Sequence, residues 1–478
     1  MIAPLILLYL VFTMLIGVIS AHLIKSTKDY IQAGRRLPFS VATFVAFATW
    51  FGSETVLGAS SEMAKSGLGG VVQDPFGASL CLILVGLFFA KPLYKMNILT
   101  LGDFFRIKYN SKVELISSIM MVLSYFGWIA AQMLALGIVL KMIFGIDKNS
   151  GIVLGSFIVL FYTFLGGMWA VAISDFIQSI MIIVGLIVVL FDISDGFTTI
   201  LPVIKSQDLN FYTNFFPSLN INEILLFITS LITIGLGSIP QQDVFQRIMS
   251  AKSAKVAARS SVAAGFLYLF IALIPLILAI FSRVKYPQLL QNDYHFLLPT
   301  LIYNEANTFS KVMFFGAIVS AIMSTASSAT LAPSIVLSEN ILKPLFFKKI
   351  NDKQLMWLTR LCVIFITLVS LFFAVNGRSI FSLVASAASI SLVSLFIPFV
   401  FGVFLIKSYH VSAVLSMFFG FATWIVFEFL FSFKFSLIVG LFSSLLFYCM
   451  PLIIQSNFNI FKKIMFVVLI QYRKAKKI

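Results

Sequence analysis

Apolar runs long enough to cross a bilayer, separated by short polar connections, recur from one end of this 478-residue chain to the other. A helix rising 1.5 Å per residue needs about 20 apolar residues to traverse roughly 30 Å of hydrocarbon. Windows of that kind predict about thirteen spans, near 2–24, 39–65, 74–95, 114–144, 151–173, 175–194, 223–248, 260–283, 312–340, 356–376, 380–406, 409–432 and 434–455. Residues 1–24 lack a basic leader and are read as a retained helix, not a cleaved signal. The predicted fold class is all-α integral membrane.

Two windows are interrupted. Span two carries Trp50-Phe51-Gly52-Ser53-Glu54, and span seven carries Gly235-Leu236-Gly237-Ser238-Ile239-Pro240. Gly and Pro weaken helices, and the backbone groups they free are tolerated at mid-depth where they line a cavity. The breaks lie five spans apart. Spans two to six (39–194) and seven to eleven (223–406) therefore read as two repeats, inverted because each holds an odd number of spans, with 409–455 as two further helices. That is the plan expected of a secondary transporter with a midplane site. The alternative is that small residues here only aid helix packing.

Composition excludes a water-soluble globule: 60% of residues are hydrophobic, 11% are charged and the mean hydropathy is +1.04. The net charge of +16 is spread in short clusters between apolar runs, which argues against nucleic acid as a partner and for a topology signal. Roughly two dozen of the 34 basic residues, including Lys25, Arg35, Arg36, Arg106, Lys252, Lys343 and the tail 456–478, fall on one side. This predicts an external N-terminus and a cytoplasmic C-terminus in the cell (inner) membrane. The outer connections, about 195–222 and 284–311, hold Asp195, Asp208, Asp293 and Glu305, while Asn97–Lys112 and the tail are expected along the inner interface. Cys81, Cys362 and Cys449 show no paired spacing, and His22, His295 and His410 are scattered, so neither a metal motif nor an enzyme's catalytic set is present.

On span nine, Ala321, Ser324 and Thr325 stand at i, i+3 and i+4, so one carbonyl and two hydroxyls share a helix face. Carbonyls of Ala48 and Phe51, freed by the break in span two, supply further oxygens of the kind a hard monovalent cation takes. The competing reading is that both hydroxyls bond back to their own helix. Asp175 is an ionisable residue in a membrane helix, a functional candidate on that ground, or alternatively an N-cap or first-turn acid near the inner surface. Asp243 and Arg247, at i and i+4, read as a local pair at an inner gate.

The runs Gly34-Arg35-Arg36-Leu37-Pro38, Ala48-Thr49-Trp50, Asp74-Pro75-Phe76-Gly77, Gly86-Leu87-Phe88-Phe89-Ala90-Lys91-Pro92, Tyr162-Thr163-Phe164-Leu165-Gly166-Gly167, Ser174-Asp175-Phe176-Ile177-Gln178, Ile239-Pro240-Gln241-Gln242-Asp243-Val244-Phe245-Gln246-Arg247 and Met323-Ser324-Thr325 resemble the sodium:solute symporter family, most of all its high-affinity choline branch. The resemblance extends from about residue 30 to 345 and implies a leucine-transporter-type 5+5 core. It places a sodium site on Ala48, Phe51, Ala321, Ser324 and Thr325. A second sodium set falls on Asp175, Ser324, Ser327 and Ser328. The organic substrate is expected against Trp50, Glu54, Thr55, Trp128, Gln132, Gln241 and Gln242. Trp50 and Trp128 look like members of an ammonium-binding aromatic cage, but Gln241 and Ala78 stand where the family pattern has a tryptophan and a tyrosine. The expected function is sodium-coupled symport of a small organic solute, with Na⁺ as the coupling ion and no organic cofactor. A non-transporting sensor on the same core is the alternative.

Overall fold

The computed structural model describes residues 2–20, 27–194, 214–292, 294–377, 379–405 and 409–455. Lys25, the stretch with Asp195 and Asp208, Asp293 and the basic tail 456–478 lie outside the described residues. Among the described residues every regular element is a helix. The main ones are α1 (Ile2–Ser20), α2 (Phe39–Trp50), α3 (Glu54–Ser66), α4 (Leu68–Met96), α5 (Leu101–Lys108), α6 (Ser111–Phe144), α7 (Lys148–Ser194), α8 (Ile221–Gly237), α9 (Gln242–Ser250), α10 (Ala254–Lys285), α11 (Thr308–Phe346), α12 (Asp352–Asn376), α13 (Ile380–Phe404), α14 (His410–Leu430) and α15 (Ser436–Gln455).

Nine described helices are long and apolar enough to cross a membrane, or eleven counting each bent pair once. The bent pairs are α2/α3, at 54°, and α8/α9, at 50°, where the sequence places its two interruptions. Among the described residues, the first and fifth of the thirteen predicted spans hold the shorter apolar helices Ile2–Thr13 and Lys148–Phe161. The boundary between predicted spans five and six also moves. The kink in α7 lies at Gly167, whose φ of 50° leaves no room for a side chain against the Tyr30 ring. Asp175 is thus two turns inside the following helical segment, and the N-cap alternative fails.

Helix α11 is the centre of the bundle, buried without interruption from Phe314 to Val336. It packs along α7, and Gly185 makes that approach close: a Cβ there would sit 2.7 Å from the Met313 carbonyl. Large apolar side chains such as Phe270, Phe372, Phe418 and Phe442 are exposed on the outside, while hydroxyls, amides and carboxylates are gathered within. This apolar exterior is the arrangement a lipid environment stabilises.

Candidate functional site

The break between α2 and α3 redirects the backbone in a way that can be followed bond by bond. Continuing α2 would have the Gly52 N–H donate to Ala48 and the Ser53 N–H to Thr49. Instead Gly52 donates to the Trp50 carbonyl (3.0 Å) and Ser53 to Gln132 Oε1 (3.0 Å). The Ala48 carbonyl therefore points away from its own helix with its acceptor capacity unused by backbone. Ser324 and Thr325 of α11 reach it across the bundle, at 2.9 and 3.3 Å.

That contact separates the two readings of the α11 hydroxyls. Ser320, Ser327 and Ser334 do bond back, to the carbonyls of Gly316 (2.7 Å), Ser324 (3.0 Å) and Thr330 (2.7 Å). Ser324 and Thr325 instead turn towards the break. The Ser324 hydroxyl also lies 2.6 Å from Asp175 Oδ1. One hydroxyl proton cannot serve the Ala48 carbonyl and the carboxylate at once, so when Ser324 serves Asp175 the carbonyl keeps only the longer contact from Thr325, at 3.3 Å. Carbonyl, hydroxyl and carboxylate oxygens gathered in this way are the ligand type a hard cation takes.

Asp175 is fully buried, and its other oxygen faces Arg247, at 3.7 Å from Nη2. Arg247 is itself buried; its Nε donates to Thr49 Oγ1 at 2.7 Å, and its Nη2 donates to Ser328 in a short bond. The expected Asp243–Arg247 pair is not formed. Asp243 accepts from Trp50 Nε1 (3.1 Å) and from the Tyr125 hydroxyl, which in turn accepts the Asp243 N–H (2.9 Å). Partners on α2 and α6 take Asp243, and partners on α2, α7 and α11 take Arg247. Arg247 therefore stands among the residues of the second sodium set, in contact with Asp175 and Ser328, while Ser327 is engaged with its own helix.

A cavity opens on the other side of the break, between α3, α4, α6 and the α8/α9 bend. Of the residues expected against the substrate, Trp50, Glu54, Trp128 and Gln241 line it. Asp74 and Tyr268 also line it, and they were not singled out from sequence as site residues. The Trp50 and Trp128 rings meet edge to face at 6.3 Å. Glu54 accepts from Trp128 Nε1 (3.0 Å) on one oxygen and from Gln132 Nε2 (2.6 Å) on the other. Asp74 accepts from the Tyr268 hydroxyl (2.6 Å) and from Thr55 (3.1 Å).

Gln132 and Thr55 thus stand behind the cavity and hold its two carboxylates. Gln242 is not in the cavity: its Oε1 accepts the Leu101 N–H at 2.8 Å and anchors the start of α5, a correction to its expected role. One signal for Asp74 was present in the sequence, since it is an acid within an apolar window, the criterion that singled out Asp175. Tyr268 carried no local signal, lying 194 residues from its partner.

The model of the sodium:solute symporter family matches residues 30–420. The high-affinity choline transporter 1 of Caenorhabditis elegans is 28% identical over 388 residues, 78% of this chain and 66% of that protein. The human protein of that name is 29% identical, over 75% of this chain and 65% of its own length. The chain thus matches just under two thirds of these choline transporters. A Staphylococcus aureus sodium/proline symporter is 25% identical, over 79% of this chain and 76% of its own. Among solved structures, a substrate-bound, outward-open Na⁺-coupled sialic acid symporter superposes with a TM-score of 0.80 at 22% identity, over 95% of this chain and 98% of that one. The nucleobase-cation-symport-1 transporter Mhp1, in a closed conformation, gives 0.56 at 14% identity over 89% and 94%. These likenesses fix the fold, and the family match spans both helix breaks and α11: the chain belongs to the sodium:solute symporter family.

Proposed function

We propose that this protein moves a small organic solute into the cell together with sodium, by alternating access around a site at the α2/α3 and α8/α9 breaks. The observation that carries this reading is the convergence of the freed Ala48 carbonyl with the Ser324 and Thr325 hydroxyls at 2.9 and 3.3 Å. Phe51 and Ala321 complete the proposed sodium ligands with their carbonyls. A bound ion would tie α2 to α11 and favour the conformation competent for substrate, so that binding of each ligand strengthens the other.

Arg247 already supplies a positive charge to Asp175 and Ser328. The proposed stoichiometry is therefore one sodium per solute, with Arg247 as a built-in cation in place of a second. A tenfold gradient and 100 mV provide about 3.7 kcal/mol per ion, enough for roughly several hundredfold accumulation. The proposed organisation is an outward N-terminal helix (1–24), inverted repeats at 39–194 and 223–406, two further helices at 409–455 and a cytoplasmic tail at 456–478.

The test is uptake into proteoliposomes with and without an inward sodium gradient. Wild-type uptake is expected to need sodium and to collapse when Ser324→Ala is combined with Thr325→Ala. Undiminished transport by the double variant, or in sodium-free buffer, overturns the reading.

A further inference from the structure

We infer that the transported solute is a small protonated amine whose nitrogen keeps hydrogens to donate, with a hydrogen-bonding oxygen at its other end. The inference rests on the cavity beside the α2/α3 break being the transport site. Two carboxylates, Glu54 and Asp74, face this cavity, both essentially buried, and among the described residues no lysine, arginine or histidine lines it. Their partners are all neutral: an indole, an amide, a phenol and a threonine hydroxyl. The Thr55 and Tyr268 hydroxyls also lie 2.5 Å apart and share a proton between them, so the carboxylate oxygens keep room for further donors, and the negative charge is left without a cation among the described residues of the cavity. Buried uncompensated carboxylates are costly, and a bound cation that donates N–H groups relieves both deficits at once.

The aromatic surface points the same way. A quaternary ammonium offers carboxylates no N–H and depends on surrounding ring faces. Here Trp50 and Trp128 meet edge to face at 6.3 Å, and Ala78 and Gln241 occupy wall positions where further rings would complete an enclosure. Gln241 and Ser238, 3% and 6% exposed, also line the cavity. An amide and a hydroxyl at the wall suit a ligand oxygen, such as a hydroxyl or carboxyl group.

A methylation series tests this. Binding of ethanolamine, its N-methyl and N,N-dimethyl derivatives and choline to the purified full-length protein is measured by thermal shift and calorimetry, with and without Na⁺. Affinity is expected to fall along the series, by about tenfold or more from ethanolamine to choline, and Asp74→Asn to weaken ethanolamine about 10- to 100-fold with a smaller effect on choline. Glu54→Gln is expected to act in the same direction and decides the matter if Asp74→Asn does not fold. Choline binding as tightly as ethanolamine, both variants within twofold of wild type, or failure of every amine to bind overturns the inference. Amine binding that sodium does not strengthen sinks the symport reading and leaves the amine inference standing. Sodium-driven uptake of an acidic or neutral solute, with no amine bound, does the reverse.

Discussion

Gly52 sits between the proposed sodium ligands and the cavity, and replacing it with alanine tests whether the two are one device. A Cβ at this position would lie 2.7 Å from Thr325 Oγ1, 2.6 Å from Glu54 Oε2 and 3.0 Å from Gln132 Oε1. Comfortable contact begins near 3.5 Å, so at least two of these neighbours must move. None is free to do so without loss. Thr325 is β-branched and has its hydroxyl turned to Ala48, and Glu54 and Gln132 hold each other at 2.6 Å. Inserting a methyl group into a packed interior costs about 1–3 kcal/mol. If that strain is relieved by rotating the Thr325 hydroxyl away from Ala48, it appears as a 5- to 150-fold weakening of sodium, on the order of 1.4 kcal/mol per decade.

Glu54 is pushed by the same methyl group, so amine affinity should fall with sodium affinity. The assay is the sodium dependence of initial ethanolamine uptake in proteoliposomes, paired with melting of the purified protein at increasing Na⁺. A half-saturating sodium concentration within twofold of wild type would refute the reasoning, because the glycine would then serve packing alone.

Two further changes separate packing from coupling. Gly86→Ala places a Cβ 2.6 Å from the Ala258 carbonyl and 2.9 Å from the Val262 nitrogen, where backbone cannot yield; it should lower stability by about 1–3 kcal/mol in thermal unfolding while leaving the sodium midpoint of the folded fraction unchanged. Arg247→Met leaves Asp175 buried without its cation, a loss on the order of 3–5 kcal/mol. Sodium can take the vacated place, so its melting temperature should respond more steeply to Na⁺ than that of wild type, with the Hill coefficient for uptake rising from one towards two. A Hill coefficient still near one and a wild-type sodium response would remove the argument for Arg247 as a fixed cation.

The breaks and the α2–α11 meeting were legible in the sequence because each is a local departure from an apolar helix: glycines at 52 and 237, and adjacent hydroxyls at 324 and 325. Which hydroxyls turn outward was not legible. Ser320, Ser324 and Ser327 look alike in sequence, and only the position of the freed Ala48 carbonyl distinguishes Ser324 from neighbours that bond back at 2.7 and 3.0 Å. Arg247 was misassigned for a related reason. Spacing of i, i+4 makes Asp243 its nearest acid along the helix, but across the bundle Asp175 on α7 and Ser328 on α11 stand within its reach. Gln242 was drawn into the predicted cavity by its neighbour Gln241, yet adjacent residues on a helix start point about 100° apart, and Gln242 serves α5.

The same geometry explains why the ion and the solute need no long relay between them. Five residues, Thr49 to Ser53, separate the Ala48 carbonyl from Glu54. Their backbone is held at Ser53 by Gln132 Oε1, whose own amide nitrogen holds Glu54. On the opposite side, Thr49 takes the Arg247 Nε at 2.7 Å, which connects the break to the Asp175 cluster. A ligand that shifts the break therefore moves a proposed sodium ligand and a cavity carboxylate together, and by linkage the two affinities must change by equal factors. Gln132 is the side chain whose loss should weaken that link most: it holds the break and the carboxylate with its two ends, and among the described residues it makes no hydrogen bond to the five proposed sodium ligands.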